Sequence, residues 1–303
     1  MGSFSGAVIT QGDGVKIRLH EINKEPGGDN STTVVIDKFK PAPVMAFFSS
    51  RGPTYNTQNL LKPDIAAPGT AILAAWRTND TELTRSGQKP PLFNIDSRTS
   101  MACPHVSAIV ATLKSQNPSW SPSAIRSAIM TTVYNGEYLA TPYDFGAGVA
   151  TMSGPLKPGL VYETEITDYL QFLCSTGYNT SKIKLVLKTV PNNFSCPANL
   201  SDESVSNMNY PSIAISLSKV RETKKVTRML TRIGDEGSVY TATITTPDAL
   251  RVRPDKLKFT SKTKKLSYQV SFKAMTRERQ FFGSITWSNG KNKVRSPFVA
   301  SFW

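Results

Sequence analysis

Thr99-Ser100-Met101-Ala102-Cys103-Pro104-His105-Val106-Ser107-Ala108-Ile109-Val110-Ala111-Thr112-Leu113 is the stretch on which the fold turns. Apolar or small side chains at Met101, Ala102, Val106, Ile109, Val110 and Leu113 recur at helical spacing, predicting an amphipathic helix that starts at Ser100 and stops before Asn117-Pro118. Pro104 does not oppose it, because the first helical N–H groups have no acceptor within the helix. A serine in this position is ordinarily a cap. It also stands where free N–H groups and the helix dipole favour negative charge, a useful place for a nucleophile whose reaction builds an oxyanion.

Working outward, Ser121-Pro122 supplies a good N-cap and first helical residue for a second helix, with Ile125, Ala128 and Ile129 on its inner stripe. Upstream, Gly-, Pro- and Ser-rich segments such as Ser49-Ser50-Arg51-Gly52-Pro53 and Lys62-Pro63-Asp64-Ile65-Ala66-Ala67-Pro68-Gly69 predict tight loops around short buried strands. Residues 1–42 alternate short apolar runs with Gly and Asn breakers, and Pro41-Ala42-Pro43 reads as a linker. After about residue 205 the pattern becomes strand-like: Lys225 to Leu230, Val239 to Thr245, Leu266 to Lys273, Phe282 to Trp287 and Val294 to Phe298, the proportions of a β-sandwich. Asn289-Gly290 between the last two predicts a hairpin with both residues at positive φ.

The chain has 303 residues, room for two domains, and its 39% hydrophobic content can build a packed core. No run approaches the roughly 20 apolar residues that cross a bilayer, so no membrane partner is expected, and Met1–Gly6 has neither the basic nor the apolar region of an export signal. The net charge of +14 is uneven: residues 211–303 hold 19 Lys and Arg against 6 Asp and Glu. Without zinc-finger spacing or an RNP motif this predicts a solvated basic face and no nucleic acid partner. N-x-[ST] sequons begin at Asn30, Asn79, Asn179, Asn193 and Asn199. Cys174 and Cys196, in a polar loop-like segment, are candidates for a small disulfide loop in an oxidising compartment, and Cys103 inside the helical pattern reads as a buried inert thiol. No cofactor or metal site is read.

The stretch Thr99 to Ser107 resembles the nucleophile motif of subtilisin-like serine proteases in the form found in plants. So, in matching order, do Phe48 to Pro53, Leu61 to Gly69, Ile72-Leu73-Ala74-Ala75-Trp76, Tyr143-Asp144-Phe145-Gly146-Ala147-Gly148, Pro158 to Tyr162 and Asn209-Tyr210-Pro211-Ser212. Within plant subtilases the likeness is to the carbon-dioxide-response secreted protease group. The resemblance implies a remnant of an inserted protease-associated domain at 1–42, and at 43–204 the C-terminal part of an α/β catalytic domain with a parallel sheet and helices. It further implies a fibronectin-III-like β-sandwich at 205–303, an extracellular location, and a serine endopeptidase whose nucleophile is Ser100.

The same resemblance places the catalytic aspartate, histidine and oxyanion asparagine ahead of the inserted domain. A serine hydroxyl needs a base held by a carboxylate. The chain has only His20 and His105, neither in the family's catalytic position: His105 reads as a packing residue of the same helix, His20 as a surface residue, and Asp96 as a loop cap. Arg98 stands where the family has glycine, which predicts a strained turn or an obstructed site, and Ala108 replaces a helix glycine. The expectation is a chain that is inactive alone and acts on peptide or protein substrates only if an N-terminal half completes it. The alternative is a non-catalytic binding or scaffold protein whose basic sandwich contacts proteins or anionic cell-wall polysaccharide. A parallel sheet cut open predicts poor solubility for the catalytic part, and a sandwich that folds independently.

Overall fold

The computed structural model describes residues 43–302, apart from 78, 80–88, 135–139, 199–201, 220–221, 235–236, 246–249 and 274–279. The expected insert remnant at 1–42, His20, and the sequons at Asn30 and Asn199 lie outside the described residues. The chain divides into two compact units, one of residues 1–49 and 67–105, the other of 50–66 and 106–303.

In the first unit, β1 (Ile72–Ala75) and β2 (Phe93–Asp96) form an antiparallel pair in which Ile72 faces Asp96 and Ala75 faces Phe93. A short turn leads from β2 into α1 (Thr99–Gln116), one residue earlier than its periodicity predicts.

In the second unit the later part of α1 buries Ile109 and Leu113 against Ile125 and Ile129 of α2 (Pro122–Thr131), the stripe read from the sequence. The Ser121 hydroxyl accepts from the Ala124 N–H at 3.1 Å, so the predicted cap is formed. α3 (Pro142–Phe145) follows, and the parallel bridge between Ala66 and Val149 is the strand-like parallel contact of this region among the described residues. β3 (Leu160–Val161) precedes α4 (Ile166–Ser175), α5 (Thr180–Val186) and α6 (Asp202–Ser206). A disulfide joins Cys174 to Cys196 beside buried Leu170 and Ile183.

The sandwich follows, built from β4 (Ile213–Leu217), β5 (Thr223–Arg232), β6 (Ser238–Ile244), β7 (Leu250–Arg253), β8 (Lys256–Phe259), β9 (Lys265–Lys273), β10 (Gln280–Ser288) and β11 (Lys293–Phe302). One sheet has the order β4-β11-β10-β6-β8, the other β3-β5-β9-β7, so the second takes in a strand from residue 160 rather than beginning at 205. Alternation along each strand sends Trp287, Tyr268, Phe272, Phe298 and Tyr162 between the sheets, all essentially inaccessible. Four strands of these sheets escaped the sequence reading: β3, β4, β7 and β8 are each five residues or fewer, too short for a decisive period. The hairpin at Asn289-Gly290 exists, but as a four-residue loop between the paired Ser288 and Lys293. Only Gly290 takes positive φ, while the Asn289 side chain caps the turn by accepting from the N–H groups of Lys291 and Asn292.

Candidate active site

The turn before α1 is shaped by three backbone restraints. Arg98 N–H donates to the Gly69 carbonyl at 2.9 Å, and Met101 N–H to the Arg98 carbonyl at 3.0 Å. The Ser97 hydroxyl accepts from Ala71 N–H at 2.8 Å. Gly69 is required by this approach, because a Cβ there would lie 2.8 Å from the Arg98 carbonyl oxygen. Ala71 occupies the left-handed region at φ 53°, which costs a non-glycine residue about 1 kcal/mol.

Arg98 does not strain the turn as expected. Its φ is negative, and its exposed guanidinium lies 3.3 Å from the Asp96 carboxylate. Asp96 is a loop cap as read, accepting from Ser97 N–H at 2.7 Å.

Ser100 is exposed at the head of α1. No hydrogen bond from a described residue reaches its hydroxyl. No hydrogen bond joins His105 to Ser100: its Nδ1 lies 2.9 Å from the Met101 carbonyl on the same helix. Cys103 contradicts the sequence reading, since it is exposed rather than buried. Apolar periodicity implied a layer over that side of the helix. Instead Ser107, Ala108, Val110 and Ala111 are exposed as well, leaving Ile109 and Leu113 as the buried residues of α1. The outer face of the β1–β2 pair is similarly bare, with Leu73 66% and Phe93 61% exposed.

In the second unit, the Lys62-Pro63-Asp64 and Asn209-Tyr210-Pro211-Ser212 motifs meet. Tyr210, itself buried, donates from its hydroxyl to Asp64 at 2.7 Å, and Lys62 Nζ donates to Asp64 at 2.7 Å and to the Tyr210 oxygen at 2.9 Å. The Arg126 guanidinium lies over the Tyr210 ring, 5.1 Å from its centre. Burial and the Asp64 carboxylate push the Tyr210 phenol above its ordinary pKa. Burial alone would lower Lys62, but Asp64 and Tyr210 together hold it above the usual lysine value. The Asn209 amide pairs with the β5 backbone, accepting from Met229 N–H and donating to Met229 C=O and Glu163 C=O. Fully buried Arg228 donates to the carbonyls of Tyr210, Ser206, Ser212 and Thr227. Sequence reasoning found these motifs by resemblance and missed what they do, which is to tie loops to strands. Arg228 left one usable signal, a cation at an inward position of an alternating strand.

Residues 10–148 match the model of the subtilase family, and residues 207–300 that of the fibronectin type-III domain. Along nearly its whole length the chain is similar to plant subtilisin-like proteases. Over 99% of its length it is 47% identical to the CO(2)-response secreted protease of Arabidopsis thaliana, of which it covers 41%. It is equally identical, at 47%, to Subtilisin-like protease SBT5.1 of the same plant over 99% of the chain and 41% of that protein. With Subtilisin-like protease SBT1.7 the identity is 41% over 94% of the chain and 39% of the relative. The chain thus spans about two-fifths of the curated relatives it matches.

Proposed function

We propose that this chain carries the nucleophile-bearing part of a secreted serine endopeptidase acting on peptide or protein substrates, with Ser100 as the nucleophile. The reading rests on one observation: an exposed serine hydroxyl at the head of a long helix, in a turn held by Gly69 and Ala71 and engaged by no described side chain. The dipole and N–H groups at that helix end suit an acyl-transfer oxyanion. An imidazole must still take the hydroxyl proton, and a carboxylate must orient the imidazole. Neither histidine of this chain stands in the family's catalytic position, so the base, the carboxylate and the oxyanion side chain come from residues outside this sequence. The exposed Ala108, Val110 and Ala111 of α1 support this, since an uncovered apolar helix face is ordinarily packed under further chain. In this reading residues 43–204 are the peptidase part, which lends β3 to one sheet of the sandwich at 205–303. The Cys174–Cys196 disulfide and the word "secreted" in one relative's name support an oxidising, extracellular location.

The test uses an alkyl fluorophosphonate and a peptide substrate on the chain alone and after mixing with the N-terminal part of a plant relative. The chain alone is expected to remain unlabelled and inactive, because loss of triad and hole together removes nearly all acceleration. The mixture is expected to gain labelling that Ser100→Ala abolishes. Stoichiometric labelling of Ser100 in the isolated chain would overturn the inactivity. Labelling of the mixture that persists in Ser100→Ala would overturn the assignment of the nucleophile.

A further inference from the structure

We propose that the outer face of the β3-β5-β9-β7 sheet is a binding surface for an acidic polysaccharide chain, through Lys225, Arg251, Arg253 and Lys273. The register assembles this face. Lys225 on β5 and Arg251 on β7 both pair with Ser271 on β9, from opposite sides, so the three side chains stand in one row. Arg253 and Thr227 flank Gln269 in the next row, and Lys273 pairs with Thr223 in the row beyond Lys225. Adjacent strands lie about 4.8 Å apart and same-face residues about 7 Å apart along a strand, so the four cations are spaced roughly 7–10 Å from their neighbours.

All four are exposed, and among the described residues none is in an ion pair. Lys265 on the same sheet is different, lying 3.3 Å from Glu163. No other described residue of the face carries a carboxylate. Unpaired like charges on one rigid plane repel one another weakly, and a ligand with repeating negative charge relieves that repulsion. What lies between the cations defines the ligand further. Thr223, Thr227, Ser267, Gln269 and Ser271 offer hydroxyls and an amide, which match sugar hydroxyls. Among the described residues no aromatic stands on this face for bases to stack on, which disfavours single-stranded nucleic acid, and a flat sheet does not enter a duplex groove. Among the described residues this face carries no large exposed apolar side chain to insert into a bilayer. The proposal holds whether or not Ser100 is catalytic.

The experiment is affinity electrophoresis of the full chain in gels containing polygalacturonate, with a neutral xyloglucan gel as reference. Wild type is expected to be retarded by polygalacturonate alone, and less so as salt rises from about 50 to 300 mM, because screening shortens the reach of exposed charges. A variant carrying Lys225→Ser, Arg251→Ser, Arg253→Ser and Lys273→Ser is expected to bind about tenfold more weakly, and the pairs Lys225→Ser/Lys273→Ser and Arg251→Ser/Arg253→Ser about threefold each. The pairs decide the matter should the fourfold variant unfold. A control with equal charge loss elsewhere, Lys256→Ser, Lys258→Ser, Lys291→Ser and Lys293→Ser, is expected to stay within about twofold of wild type. Unchanged binding in the face variants, or an equal loss in the control, would overturn the assignment. So would tighter binding of duplex DNA or phosphatidylserine vesicles at the same salt.

Discussion

The Tyr210 hydroxyl donates to the Asp64 carboxylate at 2.7 Å, joining two segments 146 residues apart in sequence, and Lys62 closes the triangle by donating to both. Both segments are also tied through their backbone carbonyls, that of Asp64 accepting from Ala147 N–H and that of Tyr210 from the Arg228 side chain, and the buried phenol adds a side-chain peg between them. Removing its oxygen by Tyr210→Phe leaves the ring packing in place but strips Asp64 and Lys62 of a partner. The expected cost is about 1–2 kcal/mol, read as a lower urea midpoint. An Asp64→Asn/Tyr210→Phe cycle should show coupling, and additive effects would contradict the peg.

The same triangle sets an alkaline limit. Lys62 and Tyr210 both bind their protons more tightly in the folded chain than in the unfolded one. Their contribution is therefore complete below the unfolded pKa values, about 10, and is lost as pH rises through the higher folded values. The melting temperature of wild type should fall more steeply above about pH 10 than that of Lys62→Met/Tyr210→Phe.

Asp144 governs the acid side. Burial pushes its carboxyl up, but the N–H and hydroxyl of Thr141 and the Arg51 guanidinium outweigh burial and hold it below the usual aspartate value. Its contribution is present above the unfolded pKa and fades as pH falls through the depressed folded one. Asp144→Asn is expected to cost about 1 kcal/mol at neutral pH, as loss of a helix cap does, and to flatten the decline in melting temperature between about pH 4 and pH 2. A decline as steep as in wild type would remove Asp144 from this role.

Arg228 is a cation in the core whose direct partners are carbonyl oxygens. Burial lowers its pKa, though Tyr268, Tyr162 and Asp168 oppose that. Arg228→Lys keeps the charge but offers three donors in place of a planar fork, so some of the carbonyls of Tyr210, Ser206, Ser212 and Thr227 lose their donor. A loss of about 2–3 kcal/mol in chemical unfolding of the full chain is expected, and a change under about 0.5 kcal/mol would show that water replaces the fork.

In the turn before α1, Ala71→Gly should stabilise by about 0.5 kcal/mol or slightly more, because glycine accepts the left-handed backbone without steric cost. Gly69→Val should do the opposite, driving a side chain against the Arg98 carbonyl oxygen, and should lower Ser100 labelling in the completed enzyme. Equal labelling would mean the Gly69 approach does not position Ser100.

Local sequence was enough for the parts of this chain that local forces decide. Helical spacing from Met101 to Leu113, the Ser121-Pro122 cap and the alternation around Val226, Tyr240, Val270 and Ile285 are short-range patterns, and each element formed where its pattern lay. The motif around Ser100 pointed to a nucleophile through its resemblance to the subtilase motif, since a serine at a helix head is by itself ordinarily a cap. Long-range closure was not legible. Cys103 and the neighbouring face of α1 read as core by periodicity, yet whether an apolar stripe is covered depends on other segments, so tertiary structure left it bare. The same holds for Arg228, which alternation sends inward and only converging carbonyls make tolerable, and for Tyr210, whose partner Asp64 no spacing rule could name. Periodicity tells a side chain which way to point; only the folded chain decides what it meets there.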